Sequence, residues 1–232
     1  AVQDLLDRAR QRSGRAQPDL AGNLRVLPAD GTLEGMEAAG QALVELGLVE
    51  HVQLVHVRVP PPYDIDPVSA DLSAEQTYCD GDPGINALAV NDLGFTGAGI
   101  RFTDIEYGWL DTHEEYNDVD LHLESGTSIP GWVYDNQWEQ HGTATVGEVA
   151  APDNGYGMTG CAPDATIATY PEYTTYSRRA EAITNAAADS VPGDVILLEM
   201  QATGAGGGYG PAEVDYSVWQ ATRVAVDAGV HV

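Results

Sequence analysis

From Ile100 onward the chain alternates short extended runs with helix-forming stretches, and this alternation restricts the fold more than any other feature of the sequence. Ile100–Ile105, Ala165–Tyr170 and Asp194–Met200 read as strands bounded by turn residues. Thr143–Ala151, Arg178–Asp189 and Tyr216–Ala228 read as helices, and Val230-His231-Val232 begins another strand. Strands separated by helices are joined by crossovers, which make neighbours parallel and lay helices on both faces of one sheet. The fold class expected for this part is α/β with a parallel sheet.

The front of the chain follows a different pattern. Val2–Arg12 carries Val2, Leu5, Leu6 and Ala9 on one helical face. Asn23–Pro28 reads as a short strand stopped by proline. Thr32 is placed to cap a helix over Leu33–Leu46, with Gly47 as its stop signal. Val49–Val59 alternates as a strand does, so residues 1–62 are expected to form a small α+β unit. Pro60-Pro61-Pro62 and the acidic run to Asp71 continue neither sheet nor helix, and residues 63–93 read as a linker with a helical piece at Ile85–Leu93.

Charge narrows the function. There are 36 acidic residues against 10 basic, all arginine, for a formal net charge of −26. Such a surface repels phosphate backbones and anionic membranes, so neither nucleic acid nor membrane is an expected partner. No apolar run reaches the roughly 20 residues a membrane span needs. Ala1-Val2-Gln3-Asp4 has neither the basic start nor the apolar stretch of a signal peptide, so any leader is expected to be gone already. Cys79 and Cys161, the only cysteines, lie in no C-x-x-C or Cys/His context; they either pair across a long loop or remain free and buried.

Four motifs in order carry a family resemblance. Gly94-Phe95-Thr96-Gly97-Ala98-Gly99-Ile100 followed by Arg101–Gly108 resembles the turn and strand that enter the catalytic domain of subtilisin-like serine peptidases. His141-Gly142-Thr143-Ala144-Thr145-Val146-Gly147-Glu148-Val149-Ala150-Ala151 is similar to the histidine helix of that family. Asn154–Ala165 resembles its "N-x-x-G-x-x-G-V-A-P-x-A" loop, and Ala225–Val230 its "A-V-x-x-G-V" junction. Ala42–Val52 resembles, more loosely, part of the inhibitory propeptide. The resemblance implies a propeptide-like domain at 1–62 and the first part of a subtilisin-like catalytic domain at 94–232. It also implies a secreted or periplasmic zymogen acting on polypeptides.

Residue by residue, the resemblance makes His141 the general base, since imidazole titrates near neutrality and can pass a proton from a serine to a leaving amine. Glu106 falls where the family has its triad aspartate, with Asp104, two residues back on the same strand face, as competitor. Glu199, Met200 and Gln201 fall on the substrate-binding strand, where the first and last replace small residues and favour basic or small substrate side chains. Glu115, Asn154 and the carbonyls of Pro152, Tyr156 and Met158 fall on a calcium loop, whose oxygens suit that ion; the alternative is a plain Asn/Gly turn. His113 matches a histidine near that loop and reads as structural.

Gly126-Thr127-Ser128 looks like the surroundings of the nucleophile, but it precedes His141, and Ile129-Pro130-Gly131 follows it, so Ser128 reads as a loop serine. The nucleophilic serine and the oxyanion asparagine are therefore expected on a complementary C-terminal segment beyond Val232. A rival expectation is an inactive, peptide- or partner-binding relative. A metal-dependent hydrolase lacks ligand spacing of the H-E-x-x-H kind.

Overall fold

The computed structural model of the chain describes residues 1–26, 31–53, 69–116, 122–123, 128–203 and 208–232. Its centre is a parallel sheet built from β1 (Arg101–Glu106), β2 (His122–Leu123), β3 (Thr166–Pro171) and β4 (Val195–Leu197), in the order β2-β3-β1-β4. β1 and β3 are in register from Arg101 opposite Thr166 to Glu106 opposite Pro171. Ile196 N–H donates to His231 O at 2.7 Å and His231 N–H to Asp194 O at 2.9 Å, so the expected run at 230–232 lies beside β4.

Alternation along β1 sends its side chains to two cores. On one face Phe102 packs with Ile167, Trp109 and Tyr116 and with Val146 and Ala150 of α5 (Glu139–Ala150). On the other, Ile105 meets Ile183 and Ala186 of α6 (Arg179–Asp189) and Val218 and Val224 of α7 (Tyr216–Asp227). Covering a parallel sheet on both faces buries most of β1 and β3.

The front helix belongs to this same body. α1 (Val2–Ser13) inserts Leu5 and Ala9 among α6 and α7. Arg8 donates to Ser190 O at 2.8 Å and Ala187 O at 3.1 Å, satisfying carbonyls at the end of α6. Burying a leucine side chain contributes about 1.5–3 kcal/mol, so α1 is held by long-range packing more than by its own propensity. The expectation of a separate unit at 1–62 did not anticipate this contact. α2 (Leu33–Glu45) has the predicted cap, with Thr32 Oγ1 accepting from Gly35 N–H at 3.0 Å. Gln53 reaches the start of α7, where its Oε1 accepts from Tyr216 N–H at 2.7 Å.

Other expectations are corrected. Residues 23–26 form no strand and Leu24 is 80% exposed, while the rest of the run to Pro28 lies outside the described residues. Residues 49–53 are irregular, and the rest of the run to Val59, with the triproline, lies outside the described residues. The helix expected at Ile85–Leu93 is shorter, α3 (Ala87–Asp92). The strand expected over Asp194–Met200 stops at Leu197, because Met200 turns into the core between sheet and helices. The chain resumes as β5 (Gln201–Thr203), paired antiparallel with β6 (Tyr209–Pro211). A short helix, α4 (Gly131–Asp135), precedes α5.

Candidate active site

Glu106 ends β1 and His141 lies in the first turn of α5, and the segment between them is fastened so that they meet. Gly142 fits against the chain at 108–109: a Cβ there would stand 2.4 Å from Gly108 O and 2.9 Å from Trp109 Nε1. Only a residue without a side chain allows this approach. Thr143 Oγ1 accepts from Leu110 N–H at 2.8 Å and donates to Glu139 O at 2.7 Å. Tyr116 donates its hydroxyl to Thr143 O.

The result is a close pair, with Glu106 Oε1 2.7 Å from His141 Nδ1. With the imidazole protonated, this contact is an ion pair. Glu106 is buried and its Oε2 accepts from Tyr107 N–H at 3.2 Å. The imidazole is 19% exposed, and its pKa is raised above the ordinary histidine value first by the bond to Glu106, with Glu199 and Glu172 adding. The protonated imidazolium is the form these carboxylates favour.

Asp104 is held elsewhere. Its Oδ2 accepts from Trp109 Nε1 at 2.7 Å, and full burial, then the charge of Glu106, raises its carboxyl well above the usual range. Asp104 is thus bonded to the Trp109 indole, while Glu106 is the carboxylate that stands beside His141.

Glu199 lies just past β4, half exposed, with Oε2 3.9 Å from His141 Nε2. Met200 is buried in the core, and Gln201 sits in β5, its carbonyl accepting from Arg179 at 3.0 Å. Ser128 is exposed in the loop before α4 and is not among the hydrogen-bond or ion-pair partners of His141.

Sequence reasoning missed Glu172, which follows β3 directly. Its N–H donates to Glu106 O at 2.7 Å, while its carboxylate forms a buried ion pair with Arg179. Burial pushes the Glu172 carboxyl up to about 7, against the pull of Arg179. The expectation that ligand-facing groups lie at the carboxyl ends of parallel strands would have flagged Glu172 together with Glu106 and Glu199. Also missed is an aromatic cluster beside the pair: Tyr107 lies 4.9 Å from Trp138 and 5.8 Å from Trp132, and Trp132 5.2 Å from Tyr173, between ring centroids.

The expected calcium loop folds around a carboxylate. Glu115 Oε1 accepts from Met158 N–H at 2.7 Å, and Asn154 Nδ2 approaches Oε2 at 3.4 Å. A Cβ on Gly157 would sit 1.4 Å from Glu115 Oε1, and its φ of +55° is itself one that suits glycine. Asn154 Oδ1 accepts from Tyr156 N–H at 3.2 Å. His113 Nδ1 accepts from Glu115 N–H at 3.2 Å. Among the described residues no three His, Cys, Asp or Glu side chains converge, so a cation would depend on main-chain oxygens. Glu115 is buried, its carboxyl raised by desolvation, and both of its oxygens face N–H donors of the loop.

Glu106 and His141 thus form an acid–histidine pair at the carboxyl edge of a parallel sheet. Parts of the chain are similar to known proteases. The chain is 30% identical over 99 residues to alkaline elastase YaB of a Bacillus strain, covering 42% of this chain and 25% of the elastase. It is 32% identical over 84 residues to subtilisin Savinase of Lederbergia lenta, 36% of this chain and 29% of that protein. With subtilisin DY of Bacillus licheniformis it shares 34% over 93 residues, 40% and 32% respectively. The matched stretches thus span about a quarter to a third of these relatives. A protease of Pseudoalteromonas arctica superposes with a TM-score of 0.51 at 19% identity, over 71% of this chain and 57% of that one, which is a likeness of fold. No protein-family model matches. Over part of its length the chain is therefore related to subtilisin-like proteases.

Proposed function

We propose that this chain supplies the acid and base of a subtilisin-like serine peptidase, secreted as a zymogen whose front segment acts as the propeptide. The observation that carries the reading is the Glu106–His141 pair, with Nδ1 on the carboxylate and Nε2 facing half-exposed Glu199. Glu106 fixes the tautomer and stabilises the imidazolium. A carboxylate one methylene longer than aspartate serves this role once the backbone places it, as β1 does. Nε2 of neutral His141 then takes the proton of a serine hydroxyl as its oxygen attacks the scissile carbonyl, and returns it to the leaving amine. In this reading the serine and the oxyanion-hole asparagine come from a polypeptide segment outside these residues.

Glu199 and the half-buried aromatic wall favour substrates with basic side chains near the cleaved bond. Calcium is proposed for the Glu115 loop, held by Glu115, Asn154 and the carbonyls of Pro152, Tyr156 and Met158; the ion would offset the buried carboxylate and fix the loop after α5. Millimolar calcium should then raise the melting temperature of the wild type and leave that of Glu115→Gln unchanged.

A second reading, a binding protein without turnover, is favoured by Glu199, which stands 3.9 Å from the nitrogen that a nucleophile needs. Fluorophosphonate labelling of the native material with intact-mass analysis separates the two. A serine adduct on a co-purifying segment supports the peptidase. Absence of any adduct, with peptide binding seen by calorimetry, supports the binding protein.

A further inference from the structure

The two cysteines lie apart from the Glu106–His141 site and take no part in the chemistry proposed for it. Cys79 precedes α3 and is buried; Cys161 follows α5, 82 residues later, and their sulfurs stand 3.5 Å apart. This proximity is not a chance touch of two surfaces. The segment carrying Cys79 runs along the loop carrying Cys161 and is bonded to it at successive points. Leu72 N–H donates to Gly157 O at 2.7 Å and Gly157 N–H to Ala70 O at 3.0 Å. Gln76 then grips Thr159 on both sides, its Nε2 donating to Thr159 O at 2.8 Å and its Oε1 accepting from Thr159 N–H at 2.9 Å. Cys79 and Cys161 come next along both segments.

Two close thiols can ligate a metal, react, stay packed as free thiols, or bond to each other. Metal ligation lacks partners, since no third His, Cys, Asp or Glu converges on them among the described residues. A catalytic thiol needs a standing thiolate, and burial, then Cys79 and Glu148 beside it, pushes the Cys161 thiol up to about 12, whereas slow exchange with a disulfide reagent needs only a transient one. We infer that Cys79 and Cys161 form an intramolecular disulfide that staples the segment ahead of α3 to the end of the histidine helix. Cys161 N–H donates to Glu148 O at 3.0 Å and Ala162 N–H to Val149 O at 2.7 Å, so the staple grips the carboxyl end of α5 itself. The bond forms by exchange with a low-molecular-weight disulfide such as oxidised glutathione. One cysteine sulfur joins the reagent as a mixed disulfide, releasing a thiol. The second cysteine sulfur displaces the other half as a second thiol, so two protein S–H bonds become one S–S bond.

The test uses the full chain equilibrated in a glutathione redox buffer set to the oxidising poise of an exporting compartment. Non-reducing peptide mapping should yield one linked pair containing Cys79 and Cys161, and the intact mass should be two hydrogens below that of the reduced protein. Reductant should lower the melting temperature by roughly 5–15 °C, the shift expected for a staple closing a loop of this length. Cys79→Ser and Cys161→Ser should both melt near the reduced wild type, whether or not reductant is present. Two freely alkylated thiols, or glutathione retained on a single cysteine, would overturn the inference. So would cysteine variants of lowered stability beside a wild type that reductant leaves unmoved, because that pattern reports packing of the thiols and not a bond. None of these readouts needs a functioning peptidase.

Discussion

At the residue scale the decisive contact is a glutamate where aspartate is the familiar partner of a catalytic histidine. Glu106 reaches His141 at 2.7 Å because β1 delivers it from the strand end, while Asp104 is turned toward Trp109. The surrounding carboxylates raise the imidazole pKa, with a defined sign for activity. A general base works only when neutral, so kcat/KM of the assembled enzyme should climb as pH rises through that elevated value, above the ordinary 6.5. Glu106→Gln should move the His141 titration, followed by NMR of the imidazole, toward lower pH, and should cut kcat by about three to four orders of magnitude. The stability consequence has the same origin. A raised histidine pKa contributes stability that is full below the unfolded value and lost as pH rises through the folded one. The melting-temperature gap between wild type and Glu106→Gln should therefore be widest in mild acid and narrow on the alkaline side.

At the scale of elements, the site depends on how closely α5 approaches the chain leaving β1. Gly142→Ala would drive a methyl group against Gly108 O and the Trp109 ring, atoms with little room to retreat. A loss of about 1–3 kcal/mol in denaturant unfolding is expected, together with loss of the Glu106-dependent shift in His141. The carboxyl ends of β1 and β3 are tied to the hairpin of β5 and β6 through Glu172, Arg179 and the Gln201 carbonyl. Removing one member of a buried pair leaves the other charge unpaired, so Arg179→Met should cost about 3–5 kcal/mol. Glu172→Gln combined with Arg179→Met should recover part of that loss, which a double-mutant cycle would measure.

For the whole molecule, the net charge of −26 opposes compaction, and the ten arginines are too few to neutralise it locally. Salt screens this self-repulsion, the screening length falling from about 10 Å at 0.1 M to about 3 Å at 1 M. The melting temperature should rise between those concentrations even though individual surface ion pairs weaken, and a fall would show that attractive pairs dominate. Several arginines hold distant parts together: Arg8 bonds the carbonyls at the end of α6, and Arg223 of α7 donates to Ala16 O at 2.5 Å.

By itself the sequence determined the local periodicities and the motif chemistry. β1, β3, α6 and α7 lie where the patterns place them, and α5 begins four residues earlier, at Glu139 rather than Thr143, because apolar spacing and stop signals act over a few residues. The closeness of His141 and Glu106 was expected from two short, ordered motifs, and the structure brings their side chains together. Tertiary structure alone decided what depends on partners far along the chain. It drew α1 into the core across some two hundred residues, left Leu24 and Val26 exposed, and bent the run after Leu197 to bury Met200. It also gathered Glu172, Arg179 and four aromatic rings around His141 from separate segments and set two distant cysteines side by side. Long-range packing chooses among local options that are nearly equal in free energy, and that choice is written in no single stretch of sequence.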